Sequence, residues 1–477
     1  MKICLVRPTY GSRFQVNPPL SLGYLSASLK ANGYDNVSLV DGSLYELTPA
    51  QAVDACRSAG VPDVVGIQVY TGSHSWTKSF VALAKEAMPS TRIIVGGPHV
   101  TALKGLALEY LGAGYGVMGE GEGPIVQFVR WLEGAIGDPS DVSGLIYRKD
   151  GAWMHAKTMF GFVENANDLP TPDWELLQPH KYFPYLEGAS VPLRGRNATP
   201  VMSSRGCPFR CTFCSSGLTN KHVMRYRLSR NIVDEIKHLR DQYGVDEVFF
   251  SDDNLTMNLQ RAEEIFDLLI NERVGVHWRA PNGLRIDRLS EPLVRKMAAS
   301  GCYYVGVGIE TGNADMMKRI RKHVDLDVVR NAVALLRKHG ILVNGFFMCG
   351  LRGETAAQVE ESIRFACSVP FDRVQVSNFI PYPGSEDFED IFGAGDPATY
   401  RANVMAFQEQ EIIPPFQEMS LPEIIALQKT FIKRFYLRPR VMWSLLRTMR
   451  FSQIKAILRH PHITRWFRRN QKWYADK

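Results

Sequence analysis

Short apolar runs alternate with helical stretches along most of this chain, and this alternation restricts the fold more than any other feature. In the first 140 residues the strand candidates are 3–6, 37–40, 64–69, 93–95 and 115–118. Helical candidates such as 20–30 and 73–87 separate them. Repeated βα units are typical of a doubly wound parallel sheet, so residues 1–140 are predicted to form a Rossmann-like α/β domain.

A second βα series begins near Thr199. Its strand candidates are 201–203, 247–251, 277–280, 303–309, 343–348 and 374–379. Six strands with intervening helices predict a partial (β/α)6 barrel over residues 197–400. Residues 141–196 form a predicted linker, with a hairpin at Asp150-Gly151 and a proline-rich stretch at 169–174. Residues 401–477 lack strand candidates and are predicted to be a helical, basic C-terminal region.

The bulk properties exclude two classes of protein. No apolar run reaches the roughly 18 residues that span a bilayer, and residues 3–6 are too short for a secretory signal, so a cytoplasmic protein is expected. Of the eight cysteines, three are clustered and five are scattered, which does not match a disulfide framework. Metal chemistry is the better interpretation of the clustered three.

These three cysteines, Cys207, Cys211 and Cys214, are spaced C-x3-C-x2-C and follow the first strand of the second series. Thiolates at such short spacing can ligate three irons of one [4Fe-4S] cluster and leave the fourth iron open for a substrate. The alternatives are a zinc site completed by His222, or thiols that bind no metal.

The cysteine motif, with Phe213 before its third cysteine, resembles the signature of radical S-adenosylmethionine (SAM) enzymes. The resemblance extends over about residues 199–390. It implies that SAM chelates the open iron, and that one electron cleaves SAM to a 5′-deoxyadenosyl radical that abstracts hydrogen from an unreactive carbon. The cofactor supplies this chemistry, while the protein binds, orients and excludes water.

The same resemblance identifies candidate SAM-binding residues at later strand ends. They are Phe213 in the cysteine motif, Asp252 and Asp253 after the second strand, Glu310 after the fourth and Gly350 after the fifth. The two aspartates are alternatively helix caps, because acids are common there. Catalytic residues beyond the cofactor ligands are not identified by the sequence.

Candidate ligand-binding residues also gather at the strand ends of the N-terminal domain. They are Tyr70, Thr71, Gly72, Ser73, Gly96, Gly97, Gly119 and Glu120. A doubly wound sheet binds ligands there, and glycines let a large flat ligand approach the backbone. Placed before a radical SAM domain, this pattern resembles the cobalamin (B12)-binding domain of B12-dependent radical SAM enzymes. No Asp-x-His-x-x-Gly motif supplies an axial histidine, and a scaffold without cofactor is the alternative.

The C-terminal region is strongly basic. Residues 431–477 contain thirteen lysines and arginines but a single acid, Asp476, and apolar residues lie between them. The apolar residues include Trp443, Leu445, Leu446, Ile454, Ile457, Leu458 and Trp466. This pattern is typical of helices on an anionic membrane surface, so peripheral contact with the inner face of the membrane is one expectation. RNA is a second partner class, and a helical cap on the barrel is the alternative.

Residues 435–440 also resemble the branch that contains the anaerobic magnesium-protoporphyrin IX monomethyl ester cyclase. The expected function is therefore cobalamin-dependent C-methylation of a large apolar substrate, driven by an external reductant of the flavodoxin or ferredoxin type. The alternative within the family is cyclisation, oxidation or rearrangement of a lipid or tetrapyrrole without methyl transfer. RNA modification is less favoured, because related RNA-modifying enzymes have a second cysteine triad and residues 1–140 contain only Cys4 and Cys56. A sensor without turnover is a further alternative.

Overall fold

The computed structural model describes residues 1–9, 16–186, 194–393, 396–409 and 418–448. Its first sheet contains β1 (Ile3–Arg7), β2 (Val37–Asp41), β3 (Val64–Gln68), β4 (Arg92–Gly96), β5 (Tyr115–Val117), β6 (Leu145–Lys149) and β7 (Ala152–His155). The order is β2-β1-β3-β4-β5-β6-β7. Strands β1 to β5 pair in parallel, whereas β5 with β6 and β6 with β7 pair antiparallel. The doubly wound sheet is confirmed, and the hairpin that the sequence assigned to the linker extends this sheet.

Helices cover both faces of the first sheet. They are α1 (Leu20–Lys30), α2 (Gly42–Tyr45), α3 (Pro49–Ser58), α4 (His74–Ala87), α5 (Pro98–Leu103), α6 (Gly105–Leu111) and α7 (Glu122–Leu132). Alternate residues of β1 enter different cores: Cys4 and Val6 one, Ile3 and Leu5 the other. A strand that is buried on both faces is a continuous apolar run, which is why the sequence pattern located it. Two short helices follow, α8 (Trp174–Leu177) and α9 (Phe183–Leu186).

The second sheet is a partial barrel. Its strands are β8 (Ala198–Val201), β11 (Glu247–Phe250), β12 (His277–Ala280), β13 (Cys302–Glu310), β14 (Leu342–Cys349) and β15 (Arg373–Asn378). A small antiparallel pair, β9 (Ser204–Arg205) with β10 (Arg225–Tyr226), follows β8. The six strands are all parallel in the order β15-β14-β13-β12-β11-β8, so β8 and β15 form the two edges. This arrangement confirms the expected barrel.

The first barrel strand lies earlier than residues 201–203, where the sequence placed it. Pro200 fits in β8 because this strand is an edge of the sheet, where a missing N–H is tolerated. Beyond Val201 the chain leaves the ladder, since the Ser203 amide donates to Asp252 Oδ2 at 3.0 Å instead of to a neighbouring strand.

The helices of the second domain and the C-terminal region complete the described chain. They are α10 (Gly217–Asn220), α11 (Ser229–Tyr243), α12 (Leu259–Asn271), α13 (Glu291–Ala299), α14 (Ala314–Arg319), α15 (Leu326–Lys338), α16 (Ala356–Ser368), α17 (Glu386–Phe392), α18 (Pro397–Glu409), α19 (Leu421–Tyr436) and α20 (Pro439–Thr448). In the part of the chain that the structure describes, no helix is long and apolar enough to cross a membrane.

Two groups of helices pack after the barrel, one against the first domain and one against the barrel itself. Phe388, Phe392 and Val404 of α17 and α18 pack against Leu103 and Ala107 of the first domain. Helix α19 buries Ile424, Phe431 and Phe435 in the barrel core, so this part of the C-terminal region caps the barrel. The predicted membrane-facing residues Ile454, Ile457, Leu458 and Trp466 lie outside the described residues.

Candidate functional site

The cysteine loop, residues 206–214, follows β9 at the carboxyl end of the barrel strands. Gly206 begins the loop with φ +100°, and a Cβ there would collide with the Val223 carbonyl oxygen, so the chain needs glycine to turn. The Thr212 carbonyl accepts a hydrogen bond from the Asp387 amide at 3.0 Å. The loop is therefore fastened to α17 as well as to β9.

All three cysteines of the loop are free thiols. Cys207 and Cys211 are partly buried, and Cys214 is exposed. Burial raises the pKa of both Cys207 and Cys211, and each also feels the charge of a neighbouring thiol or carboxylate. Metal binding releases such protons, because the ligand is the thiolate. Three accessible thiols on one short loop fit a cluster in which each cysteine binds a different iron.

A mononuclear metal fits this loop less well. Among the described residues, no three histidine, cysteine or acidic side chains converge on a single point that could hold one ion. His222 Nδ1 contacts the Phe209 carbonyl oxygen at 2.9 Å, so one ring nitrogen is used to hold the loop. The cysteine spacing therefore favours a cluster over the zinc alternative.

Two further candidate SAM-binding residues are Phe213, within the cysteine loop, and Glu310, at the end of β13. Glu310 ends β13 in a left-handed conformation with φ +70°, and its Oε1 lies 2.9 Å from Lys322 Nζ. A non-glycine residue held in this region costs of order 1–3 kcal/mol, and such strain concentrates at functional sites. Burial is the main cause that raises the pKa of Cys211, and the Glu310 carboxylate raises it further. Phe213 packs against the apolar cluster that contains Met316 and Ile320.

The two adjacent aspartates after β11 have different environments. Asp252 is fully buried and accepts hydrogen bonds from the Ser203 amide and from the hydroxyls of Ser203 and Ser204. Asp253 lines a cavity beside the loop, and its Oδ2 accepts a hydrogen bond from Ser216 Oγ at 3.1 Å. Burial raises the pKa of Asp253. Only Asp253 has a carboxylate facing space that a ligand could fill.

Gly350 belongs to a turn organised by Glu354, a residue that the sequence analysis did not select. The amides of Gly350 and Leu351 donate to Glu354 Oε2 at 2.8 and 3.2 Å. Within the described part of the chain, the buried Glu354 Oε1 has no hydrogen-bond partner, and burial raises the pKa of Glu354 to about 7. The sequence feature that could have identified Glu354 is an acid four residues after a strand-end glycine. An acid at this position can accept hydrogen bonds from the amides of the turn.

A cavity of about 330 Å³ separates the strand ends of the first sheet from the cysteine loop. Its wall includes five of the eight predicted cobalamin-binding residues, namely Tyr70, Gly96, Gly97, Gly119 and Glu120. The opposite wall includes Gly206, Ser251 and Asp253 of the barrel. At Gly97, with φ +107°, a Cβ would lie only 2.8 Å from the Val69 carbonyl oxygen. The glycine-lined edge and the topological switch between β1 and β3 fit a large flat ligand.

Thr71, Gly72 and Ser73 are not on the wall of this cavity. They form a short turn that leads into α4, where Thr71 Oγ1 lies 3.2 Å from His99 Nδ1. His99 Nε2 in turn lies 3.2 Å from Gln408 Oε1 of α18, and the His74 ring stacks on that of His99 at 5.3 Å. These two histidines thus join the first domain to α18.

Glu120 reaches the cavity, but its carboxylate is bound by arginines of the second domain. Arg205 Nη1 lies 2.9 Å from Glu120 Oε1, and Arg225 Nη1 lies 2.6 Å from Glu120 Oε2. Neither arginine was predicted as a site residue from the sequence. Glu120 lies 85 positions before Arg205 and 105 positions before Arg225, and no local motif links residues so far apart.

Comparison with known proteins gives two family-model matches. Residues 7–129 match the B12 binding domain, and residues 201–366 match the radical SAM superfamily. The two matched regions lie on opposite sides of the cavity.

Three curated relatives cover most of the chain. An uncharacterized methyltransferase of Pyrococcus horikoshii is 28% identical over 93% of this chain and 94% of its own. The cytidylyl-2-hydroxyethylphosphonate methyltransferase of Streptomyces wedmorensis is 29% identical over 79% of this chain and 78% of its own. The anaerobic magnesium-protoporphyrin IX monomethyl ester cyclase of Rubrivivax gelatinosus is 28% identical over 92% and 78%.

Among solved structures, the radical SAM methyltransferase TsrM of Kitasatospora setae, with tryptophan substrate and a SAM analogue bound, has a similar fold. The TM-score is 0.73 with 16% identity, covering 90% of this chain and 88% of that one.

Proposed function

We propose that this chain, a radical SAM enzyme with an N-terminal B12-binding domain, methylates an unactivated carbon of a large apolar substrate. Its cofactors are a [4Fe-4S] cluster, SAM and cobalamin. When bound, the cluster and SAM supply the radical that removes a hydrogen atom, and cobalamin supplies the methyl group. The enzyme also requires an external one-electron reductant.

The cavity between the two cofactor regions carries this proposal. Gly206, the first residue of the loop whose cysteines would hold the iron–sulfur cluster, lines one wall, and the strand ends at Gly96, Gly97 and Gly119 would hold cobalamin on the other. A methyl donor and a radical source that open onto one space can act on one substrate carbon in succession. Two of the three relatives described above are methyltransferases, which supports the same assignment.

We assign the SAM-binding role to groups around the cysteine loop. The Asp253 carboxylate would accept a hydrogen bond from the SAM ammonium group, and Glu310 would contact the ribose. The turn at Gly350, which Glu354 holds in place, would border SAM, and Phe213 would close the apolar side. Water is excluded on that side by the packing of Phe213 against Met316 and Ile320.

Exposed apolar residues near the mouth of the barrel support an apolar substrate. Ile380 and Tyr382, just after β15, are 51% and 48% exposed. The same loop approaches the residues after the cysteine motif, since a Cβ on Gly384 would contact the Leu218 side chain. Exposed apolar side chains at this end of the barrel favour a surface that binds apolar groups.

A reaction without methyl transfer is the second candidate, because the cyclase of Rubrivivax gelatinosus aligns over 92% of this chain. The two candidate reactions are distinguished by incubating reconstituted enzyme and dithionite with SAM that carries a trideuterated methyl group. A hopanoid and a magnesium porphyrin methyl ester serve as probes. Methyl transfer predicts a product that carries the deuterated methyl group. An unlabelled oxidised or cyclised product, formed together with 5′-deoxyadenosine, would instead establish the second candidate.

Peripheral membrane contact is a further part of the proposal. Leu437 and Trp443 are each 62% exposed and Met442 is 48% exposed, all within or directly before α20. Exposed apolar side chains on a basic segment favour an anionic lipid surface. Sedimentation with phosphatidylglycerol vesicles should retain the protein, whereas neutral phosphatidylcholine vesicles should not. Trp443→Ser should weaken retention, and Tyr45→Ser, at an exposed site of the first domain, is the matched control. Equal binding to both vesicle types contradicts this part of the proposal.

A further inference from the structure

Four charged side chains form an ion cluster between the two domains, here called the interdomain ion cluster: Glu120, Glu122, Arg205 and Arg225. Two of its ion pairs join Glu120 to Arg205 and to Arg225. In the third pair, Arg205 Nη2 lies 2.6 Å from Glu122 Oε1. The four side chains are only 4–12% exposed. Charge-assisted hydrogen bonds of this kind are strong and directional where water is excluded.

The interdomain ion cluster connects the regions of both cofactors. Glu120 and Glu122 lie between β5 and the first turn of α7, at the glycine-rich edge of the first sheet. Arg205 lies two residues before Cys207, and it pairs in register with Arg225 across the β9–β10 ladder. All four residues are on the wall of the cavity. A displacement of the cysteine loop would therefore be transmitted directly to the wall of the cobalamin cavity.

The hydrogen bonding of Arg225 is incomplete. Its Nη1 donates to Glu120 and to the Val163 carbonyl oxygen, but its buried Nε and Nη2 have no acceptor among the residues that the structure describes. A buried donor that lacks a partner costs about 1–3 kcal/mol, so the surroundings gain by rearranging when an acceptor arrives. The interdomain ion cluster is therefore sensitive to what occupies the cavity.

We propose that the interdomain ion cluster couples the two cofactor sites, with Arg205 as the positioning residue that transmits iron–sulfur cluster assembly to the cobalamin cavity. Ligation by Cys207 would restrain the start of the loop, two residues after Arg205, and so stabilise the ion pairs that Arg205 makes with Glu120 and Glu122. Arg205 then holds Glu120 and Glu122 in the arrangement that cobalamin requires. The inference rests on the proposed function only for the positions of the two cofactor sites and not for which group the enzyme transfers, so it stands or fails separately from methyl transfer.

Binding measurements test this coupling without substrate or turnover. The dissociation constant of hydroxocobalamin is measured by equilibrium dialysis for the full-length protein, once loaded with the iron–sulfur cluster and once iron-free. The wild-type protein should bind hydroxocobalamin about tenfold more tightly when loaded. Because linkage is reciprocal, cobalamin should favour iron–sulfur cluster retention by the same factor.

Variants separate coupling from a general structural role. Arg205→Gln should bring the two dissociation constants within about twofold of each other. Lys30→Gln is the matched control, since it breaks a 2.7 Å ion pair with Asp173 that joins the first domain to the linker away from the cavity. This control should keep the tenfold difference. Glu122→Gln, which retains the side-chain volume, repeats the test if Arg205→Gln does not fold.

Two results would overturn the proposal. One is a wild-type protein that binds hydroxocobalamin equally in both states. The other is an Arg205→Gln or Glu122→Gln protein that binds more weakly in both states but keeps the wild-type ratio, because a merely structural contact changes both constants together.

Discussion

Ser203 Oγ donates a hydrogen bond to Asp252 Oδ1 at 2.6 Å, and this contact ties the end of β8 to the end of β11. The Ser203 amide and the Ser204 hydroxyl bind the same carboxylate. Asp252 is therefore occupied by protein donors, although the sequence placed it with Asp253 as a SAM-binding residue.

The two aspartates should differ when each is replaced. Asp252→Ala leaves three buried donors without an acceptor, so we expect the free energy of unfolding to fall by about 2–4 kcal/mol. Asp253→Ala removes contacts with the Ser216 hydroxyl and the Gly206 backbone at a carboxylate that lines the cavity, and should cost about 1 kcal/mol while weakening SAM binding. Urea denaturation and SAM binding by equilibrium dialysis check both. Equal destabilisation by the two variants would contradict the structural assignment of Asp252.

Replacing the three loop cysteines should abolish iron binding. We expect two losses in the triple variant Cys207→Ala, Cys211→Ala, Cys214→Ala. After anaerobic reconstitution it should lack the absorbance of the iron–sulfur cluster at roughly 400 nm, and it should contain no bound iron. Cys367→Ala, at a partly buried thiol on α16, is the control and should retain both. Normal iron content in the triple variant would refute the ligand assignment.

Glu354 should make the protein less stable as the pH rises. Its folded pKa of about 7 exceeds the ordinary value of 4.5, so between these values the folded state holds a proton that the unfolded state has lost. Stability therefore falls with increasing pH across this window, by about 2–3 kcal/mol in total. Glu354→Gln removes this dependence. Urea midpoints of the two proteins, measured from pH 4.5 to 7.5, should diverge toward the alkaline end, and parallel curves would contradict the prediction.

His99 should have the opposite effect in acid. Burial, and then the neighbouring His74, lower the pKa of His99 to about 4, below the ordinary 6.5. As the pH falls from 6.5 to 4, the unfolded chain binds a proton that the folded chain refuses, so stability declines by about 2–3 kcal/mol. His99→Gln should lack this decline. A wild-type protein whose unfolding midpoint tracks that of His99→Gln through the acid range would show that His99 is not held neutral.

Much of the fold was predictable because it depends on local patterns. The parallel strands are buried on both faces and are continuous apolar runs, so their positions followed from the sequence to within a few residues. The predicted position of β8 was wrong by a few residues, because the end of this strand is determined by Asp252, a residue about fifty positions away. The hairpin at Asp150-Gly151 was recognised from its turn, but its addition to the first sheet depends on pairing with β5.

The sequence by itself determined the cysteine spacing, the two βα series and the glycines at strand ends, because each is a property of neighbouring residues. Only the tertiary structure decided which side chains face the shared cavity. It assigned Asp252 to the protein interior and Asp253 to the cavity, and it joined Glu120 to Arg205 and Arg225. Such pairings depend on where distant segments meet, and adjacent acids with the same local sequence context acquire different roles through burial and through the donors that reach them.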